Sequence, residues 1–154
     1  MEALEFSPNN AASKDALIKR AYADLIGLPP SYNELNHWRS ISNENWYERL
    51  IDDLLQKPAY GEKLALLWMD LARYADSYGF QDDNIRSQWP WRDWVIHAFN
   101  DNLPYDQFLI NQIAGDLLPN ATKKNILATA FFRNHKFTEE GGVIDEEYRV
   151  SYNI

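Results

Sequence analysis

The chain has 154 residues, a formal net charge of −8 at pH 7, 45% hydrophobic residues and no cysteine. This length and composition suffice to bury a core without cross-links, and the lack of cysteine excludes disulfides, thiolate zinc sites and covalent haem attachment within the chain. The negative charge argues against nucleic-acid partners, and we find neither a signal-peptide pattern nor an apolar run of the ~18–20 residues that span a bilayer.

The hydrophobic spacing predicts three helices in the first part of the chain. Ser13 is the expected N-cap of the first helix. Ser31 and Glu34 have the spacing of a capping box and begin the second. A third helix follows Asn43 and is expected to end at Pro58. The predicted apolar face of this third helix consists of Tyr47, Leu50, Ile51, Leu54 and Leu55.

The fourth predicted helix has the clearest apolar stripe and also carries a row of charges. On this helix Asp70, Arg73 and Asp76 are spaced by three, so both carboxylates can reach the same guanidinium. A solvated row of ion pairs is the ordinary reading of such spacing. The alternative is that Arg73 holds carboxylates beside a ligand, because the row leads into an irregular segment. The stripe expected to face the core is Leu64, Leu67, Trp68, Leu71, Ala72 and Ala75.

Periodicity is lost from Asp76 to Pro90, which predicts a long irregular loop, and loops of this length are usually functional or disordered. Pro90 is well placed in the first turn of a fifth helix. Trp91 and Trp94 share the apolar face of that helix, which favours core packing. Trp89 precedes the helix and lies off this face, so we expect it to be an exposed stacking platform.

Two further helices complete the predicted fold. Pro104 begins the sixth, and Thr122 caps a seventh that includes Ile126. The sixth is expected to direct inward Tyr105, Phe108, Leu109 and Ile113. No stretch alternates with the period of two that strands require. The sequence therefore predicts an all-α fold, a compact bundle of about seven or eight short helices with long irregular loops. We expect residues 1–154 to form a single domain that belongs to a larger protein.

The densest group of reactive side chains lies near the end of the sequence. His135 precedes the pair Gly141-Gly142, whose backbone freedom lets a tight loop direct flanking side chains at one point. Capping and the helix dipole explain some of the surrounding acids, but not Glu139 and Glu140. The acids of this segment are Glu139, Glu140, Asp145, Glu146 and Glu147.

The two irregular segments supply the candidate binding residues. For ligand binding these are Arg73, Asp76, Asp82, Trp89, Arg92, His135, Glu139, Glu140, Glu147 and Arg149. Calcium is the candidate ion, because oxygen ligands suit it, although the spacing is not that of an EF-hand. Its candidate ligands are Asp82, Asp83, Glu140 and Asp145. Zinc is disfavoured, because the histidines occur singly. Paired carboxylates would also suit glycoside hydrolysis, which depends on their separation in space.

Several strings, in order along nearly the whole chain, together resemble Domain of Unknown Function 1549, a family abundant in planctomycetes and also seen in Bacteroidetes. They include Leu28-Pro29-Pro30, Tyr60-Gly61-Glu62, Trp68 through Ser77, Trp91-Arg92-Asp93-Trp94, Pro104-Tyr105-Asp106, Asp116-Leu117-Leu118-Pro119, Glu140-Gly141-Gly142 and Glu146-Glu147-Tyr148-Arg149. The resemblance implies an exported or cell-surface multidomain protein with a c-type cytochrome domain and a second uncharacterised domain. It implies haem c elsewhere in the parent protein, on a Cys-x-x-Cys-His motif that this chain lacks, and it assigns no catalytic residues.

We therefore expect a helical domain of an exported, cytochrome c-linked protein that binds or processes polysaccharide or sugars, with the two irregular segments forming the ligand surface. One alternative is a non-catalytic scaffold that docks the cytochrome domain to partner domains. Another is a calcium-binding structural module. The chain alone is expected to be inactive.

Overall fold

The computed structural model describes residues 9–79 and 82–136, and its regular secondary structure in these ranges is helical. Its α-helices are α1 (Lys14–Ile26), α2 (Tyr32–Ser40), α3 (Trp46–Leu55), α4 (Pro58–Leu71), α5 (Trp89–Asn100), α6 (Tyr105–Ala114) and α7 (Lys123–Ala128). Two 3₁₀ helices, Gly115–Leu117 and Thr129–Arg133, follow α6 and α7. Within the described ranges no strand forms, although an isolated antiparallel bridge joins Ser77 to Ile85. The all-α prediction is confirmed.

The chain divides into two compact units, Met1–Tyr60 and Gly61–Ile154, with the boundary within α4. Each unit has its own cluster of buried apolar side chains. That the chain forms a single domain stays a prediction. No helix in the described part of the chain is long and apolar enough to cross a membrane.

The first unit is built as its local signals predict. The Ser13 hydroxyl accepts the Ala16 N–H at 3.3 Å and caps α1. The Ser31 hydroxyl accepts the Glu34 N–H, and Glu34 Oε2 accepts the Ser31 N–H, so the capping box begins α2. These caps satisfy donors that the first turn of a helix leaves free. The core of the unit consists of Ile18, Ala21, Tyr22, Ile26, Trp38, Leu50 and Leu54.

The end of α3 differs from the prediction. The helix ends at Leu55, and Pro58 is the first residue of α4 rather than a terminator. Proline suits a first turn, because its missing N–H would have no partner there. Tyr47 and Leu55 are exposed at the edges of the predicted apolar face, so Leu50 and Leu54 make the fully buried contacts.

The predicted core stripe of α4 is confirmed for Trp68 and Ala72 but is wrong for Leu67 and Leu71. Leu67 and Leu71 are 61% and 77% exposed. The buried positions of the helix are Gly61 and Ala65, and Ala72 just beyond its end is also buried. Small side chains on the inner face let the helix axis approach its neighbours closely, so the leucines are left on the outside.

The inner face of α6 is also different from the prediction, because it is partly polar. Phe108 is buried as expected, whereas Tyr105 and Ile113 are exposed. Asn111 and Gln112 take the inward positions instead. Gln112 Oε1 accepts the Trp68 indole N–H at 3.0 Å, so the buried amide has a partner. In the same way Ile126 of α7 is exposed, although the Thr122 cap forms as predicted.

Candidate functional site

The row of charges predicted on α4 does not form. The helix ends at Leu71, and Arg73 adopts a left-handed backbone conformation with φ of 56°. This change of direction breaks the spacing of three that would align Asp70, Arg73 and Asp76. Among the described residues no ion pair joins Arg73 to either aspartate. The predicted row of ion pairs is therefore wrong, whereas ligand binding by Arg73 and Asp76 stays a prediction.

Asp76 has a different partner, Tyr74. The Tyr74 hydroxyl lies 2.8 Å from both carboxylate oxygens of Asp76 and donates its hydrogen bond to them. Burial, followed by this hydrogen bond and the negative charge of Asp76, raises the pKa of Tyr74 to about 12. The Tyr74 ring stacks on Trp91, with centroids 6.0 Å apart, so the pair is held against the core of the second unit.

The irregular loop is organised by hydrogen bonds within itself. Asp83 Oδ1 accepts the Gly79 N–H at 2.6 Å, and a hydrogen bond from the Ser77 side chain, followed by that from Gly79, lowers the pKa of Asp83. Asp82 is exposed beside it. Asp83 therefore has a local structural role in holding the turn.

Arg86 is the residue of this loop that sequence reasoning missed. It is buried, and its guanidinium donates to the backbone carbonyls of Ala75 at 3.2 Å and His135 at 2.9 Å. Burial and the charge of Arg133 lower the pKa of Arg86. Arg86 thus joins the loop to the backbone at His135, although this arginine carried no periodic or motif signal, and a ligand surface built from both irregular segments stays a prediction.

Arg92 is paired with its own neighbour. Its Nε and Nη2 atoms both donate to Asp93 Oδ1, at 2.9 Å and 2.7 Å. This hydrogen bonding to Asp93 raises the pKa of Arg92 and holds the carboxylate in one orientation. Asp93 Oδ2 makes no hydrogen bond within the described ranges and can accept one from a ligand.

A cavity of about 500 Å³ lies beside this carboxylate, and we call it the Trp89 cavity. Six of the residues that line it give it its chemical character, namely Trp89, Trp94, Asp93, Asp101, Lys124 and Asn125. Trp89 is 52% exposed at the start of α5, which confirms its predicted exposure. Trp94 is fixed by stacking on Phe108 at 5.4 Å.

Two amides form the polar back of this cavity. Asn125 Nδ2 donates to Asn111 Oδ1 at 2.6 Å, and Asn111 Nδ2 donates to the Gln107 carbonyl at 2.7 Å. Both asparagines line the cavity. Asn125 also accepts the Thr122 N–H, so the cap that begins α7 positions it. Sequence reasoning identified the cap but could not identify its cavity-lining side chain.

The remaining candidate residues belong to the segment that begins at His135. Glu139, Glu140, Asp145, Glu147 and Arg149 lie outside the described residues. His135 lies within them, and its Nδ1 is 2.8 Å from the Phe132 carbonyl. In residues 9–79 and 82–136 no group of three or more histidine, aspartate or glutamate side chains could hold a metal ion. A calcium site that uses Glu140 or Asp145 stays a prediction.

Comparison with known proteins gives one match. The model of the family PSCyt2, described as "Protein of unknown function (DUF1549)", matches residues 1–154. No curated protein and no solved structure matches the chain.

Proposed function

The chain belongs to the PSCyt2 family of unknown function, DUF1549, and we propose that its Trp89 cavity binds saccharide. The observation that carries the proposal is a half-exposed indole beside an oriented carboxylate in a cavity of about 500 Å³. Cavities of roughly 300–1,000 Å³ are typical of small-molecule sites.

The aromatic wall supplies the apolar half of saccharide recognition. One face of a sugar ring exposes C–H groups, which pack against a large flat ring such as an indole. Trp89 offers an accessible ring for this contact, and Trp94 forms a second aromatic surface fixed in the unit.

The polar groups supply the other half. A sugar hydroxyl can donate to Asp93 Oδ2, while Arg92 holds the same carboxylate through Oδ1. Asp101 and Lys124 add an acceptor and a donor to the wall. Because the Asp93 carboxylate is already oriented, the ligand loses less free energy in ordering its site.

The spacing of the carboxylates favours binding over hydrolysis. Asp93 and Asp101 are eight positions apart on α5 and its C-cap, which corresponds to a rise of roughly 12 Å along a helix. Glycosidases separate their two carboxyl groups by about 5–9.5 Å. We therefore propose a binding role for this cavity, in an exported protein that carries haem c elsewhere. That setting is supported by the motif resemblance described above.

The test is calorimetric titration of the 154-residue chain with a panel of neutral oligosaccharides. We expect at least one to bind, and Trp89→Ala to weaken it about tenfold or more, by analogy with nucleobases, whose stacking on an aromatic side chain is worth on the order of 1–3 kcal/mol. Asp93→Asn should weaken it as well. Both variants should melt close to the parent chain, because Trp89 is half exposed.

Tyr105→Ala is the matched control, because Tyr105 is an exposed aromatic residue of the same unit outside the cavity. It should bind like the parent chain. Binding that survives Trp89→Ala, or a complete lack of binding across the panel at millimolar concentration, contradicts the proposal.

A second candidate function is favoured by the outward leucines of α4. Leu66, Leu67 and Leu71 are all more than half exposed, and Leu67 and Leu71 lie one turn apart on the same face of α4. Contiguous exposed apolar surface marks interaction sites. We propose as the partner the cytochrome-type domain expected in the parent protein. Hydrogen exchange of α4 should then be slower in the parent protein than in the 154-residue chain, and equal exchange in both would rule docking out.

A further inference from the structure

A cavity of about 470 Å³ lies in the first unit, and we call it the Tyr22 cavity. Tyr22 lines it from the core, where only 1% of the residue is exposed. Its hydroxyl is buried and has no hydrogen-bond partner within the described residues. Burial raises the pKa of this hydroxyl, the Trp38 side chain and the charge of Lys57 lower it by less, and the charge of Glu34 raises it. Buried hydroxyls are normally hydrogen-bonded. Because this one has no partner among the described residues, an oxygen of a ligand in the cavity would complete its hydrogen bonding.

One wall of the cavity is formed by Lys57, whose ammonium group is already paired with acids of the protein. Lys57 Nζ lies 2.6 Å from Glu34 Oε1 and 4.0 Å from an oxygen of Asp53. Glu34 Oε2 meanwhile accepts from the N–H and the hydroxyl of Ser31. The ammonium also lies 5.5 Å from the centre of the Tyr22 ring. These contacts fix the wall and leave little of the lysine charge for a ligand.

Arg49 is a second basic residue of the cavity, and unlike Lys57 it is not paired with an acid among the described residues. It lines the same cavity, and its guanidinium forms no hydrogen bond or ion pair with any residue in 9–79 or 82–136. Asp53, one turn further along α3, approaches Lys57 instead. Asn33 and His37 add polar groups to the lining. A planar guanidinium without a carboxylate is suited to a bidentate contact with an oxyanion.

We propose that the Tyr22 cavity binds a small hydroxylated carboxylate, such as a sugar acid, with its carboxylate on Arg49 and an oxygen on the Tyr22 hydroxyl. The two acids in the wall, Glu34 and Asp53, disfavour a doubly charged phosphate, and they can accept the ligand's hydroxyl groups. This site lies in a different unit from the Trp89 cavity and does not depend on the function proposed there.

The test uses the 154-residue chain carrying Trp89→Ala, so that neutral saccharide binding at the other cavity does not contribute. Glucuronate, methyl glucoside and inorganic phosphate are titrated separately, with calorimetry and melting as the measurements. We expect glucuronate to bind and to raise Tm, and the other two to have no effect at the same concentration. Arg49→Gln should raise the Kd for glucuronate about tenfold or more, and Tyr22→Phe several-fold.

The variants are chosen so that folding does not obscure the result. Tyr22→Phe keeps the buried ring and removes only an unpartnered hydroxyl, so without ligand it should melt at or above the parent temperature. Arg20→Gln removes an exposed charge of α1 outside the cavity and should leave binding unchanged.

Three outcomes overturn the inference. These are no binding of glucuronate at millimolar concentration, binding that both cavity variants leave unchanged, and equal binding of phosphate. None of them affects the Trp89 proposal, which is tested by neutral oligosaccharides in the chain with Trp89 intact.

Discussion

The Tyr22 cavity and the Trp89 cavity are nearly equal in volume but different in chemistry. Charged groups line both, but the wall of the first that carries its helix cap is an ion pair, whereas the corresponding wall of the second is a pair of amides. Both cavities are lined by a helix that begins with a capping box, α2 in the first and α7 in the second. In each, the third residue of the helix also lines the cavity, Glu34 in one and Asn125 in the other.

The difference lies in what that third residue binds besides its own cap. Glu34 accepts from Lys57, so the first wall is held by charge. Asn125 donates to Asn111, so the second wall is held by a neutral amide pair. We therefore expect the capping wall built on Glu34 to respond to pH and salt, and the capping wall built on Asn125 not to respond.

The largest expected effect comes from Gly115, which lies against α7. A Cβ atom there would be 2.2 Å from the Asn125 carbonyl oxygen, so the backbone of α7 must move. We expect Gly115→Ala to lower the free energy of unfolding by about 3 kcal/mol, by overpacking. Urea denaturation measures the loss, and saccharide titration should show a damaged Trp89 cavity.

Gly61→Ala is the matched control. The three atoms nearest to a Cβ at Gly61 all belong to the Asn100 side chain, which can shift more easily than a backbone, although the Gly61 N–H would then lose its 2.9 Å bond to Asn100 Oδ1. Its cost should be about 1 kcal/mol. Equal losses for the two glycines would contradict the close approach at Gly115.

Asn125→Asp gives the second capping box the acid that the first one has. The change removes the donor to Asn111 Oδ1 and places a carboxylate against that buried carbonyl oxygen. An unpaired buried acceptor lowers the free energy of unfolding by about 1–3 kcal/mol, whereas an acid at a helix N-terminus raises it by about 0.5 kcal/mol. We expect a net loss of about 1.5 kcal/mol in chemical denaturation.

The opposite result would show that Asn111 does not depend on this donor. Asn125→Ser is the companion variant, since serine can cap the helix but cannot reach Asn111 with an amide. It should be destabilised by less than the aspartate variant, because it adds no charge beside the carbonyl.

Glu34→Gln makes the reverse change in the first unit. Hydrogen bonds from Lys57 and Ser31 lower the pKa of Glu34 from 4.5 to about 2. Because the folded pKa lies below the unfolded one, the stabilisation is complete above pH 4.5 and is lost as the pH falls towards 2. Both partners are about one-third exposed, so we expect a cost of only about 1 kcal/mol at pH 7.

Melting curves between pH 7 and pH 2 provide the measurement. The parent chain should lose stability more steeply than Glu34→Gln as the pH falls below 4.5. Glu44→Gln, at an exposed acid just before α3, should keep the parent slope. Parallel slopes for the parent and Glu34→Gln would show that the ion pair contributes nothing in solution.

These contrasts also show what could be read from the sequence. The Ser13, Ser31 and Thr122 caps were predicted correctly, because a cap depends on residues three positions apart. The exposure of Trp89 was predicted for a similar reason, since its position relative to the apolar face of α5 is local information.

The inner faces of α4 and α6 could not be predicted in the same way. Periodicity assumes that the most apolar face is buried, yet Ala65 is inside while Leu71 is outside, and Gln112 is inside while Ile113 is outside. Close packing selects the alanine, and the Trp68 indole satisfies the amide. Both causes lie in the neighbouring helix and not in the segment itself.

The polar site residues were missed because their partners are distant in sequence. Arg86 and the His135 carbonyl are 49 positions apart, and Lys57 and Glu34 are 23 apart. No motif marks either pair. Asp70, Arg73 and Asp76 do have a regular spacing, but the ion pairs predicted from it do not form, because the helix ends before Arg73.

Salt gives the smallest effect and the most direct contrast between the two walls. Raising NaCl from 0.1 M to 1 M shortens the screening length from about 10 Å to 3 Å and should weaken the Glu34–Lys57 pair by about 0.5 kcal/mol. The cost of Glu34→Gln in urea denaturation should therefore shrink at high salt. The cost of Asn125→Ser should stay constant, because the amide pair that it removes carries no charge. If the cost of Glu34→Gln also stays constant, the wall of the first cavity is not held by charge, and the difference between the two capping boxes lies in packing alone.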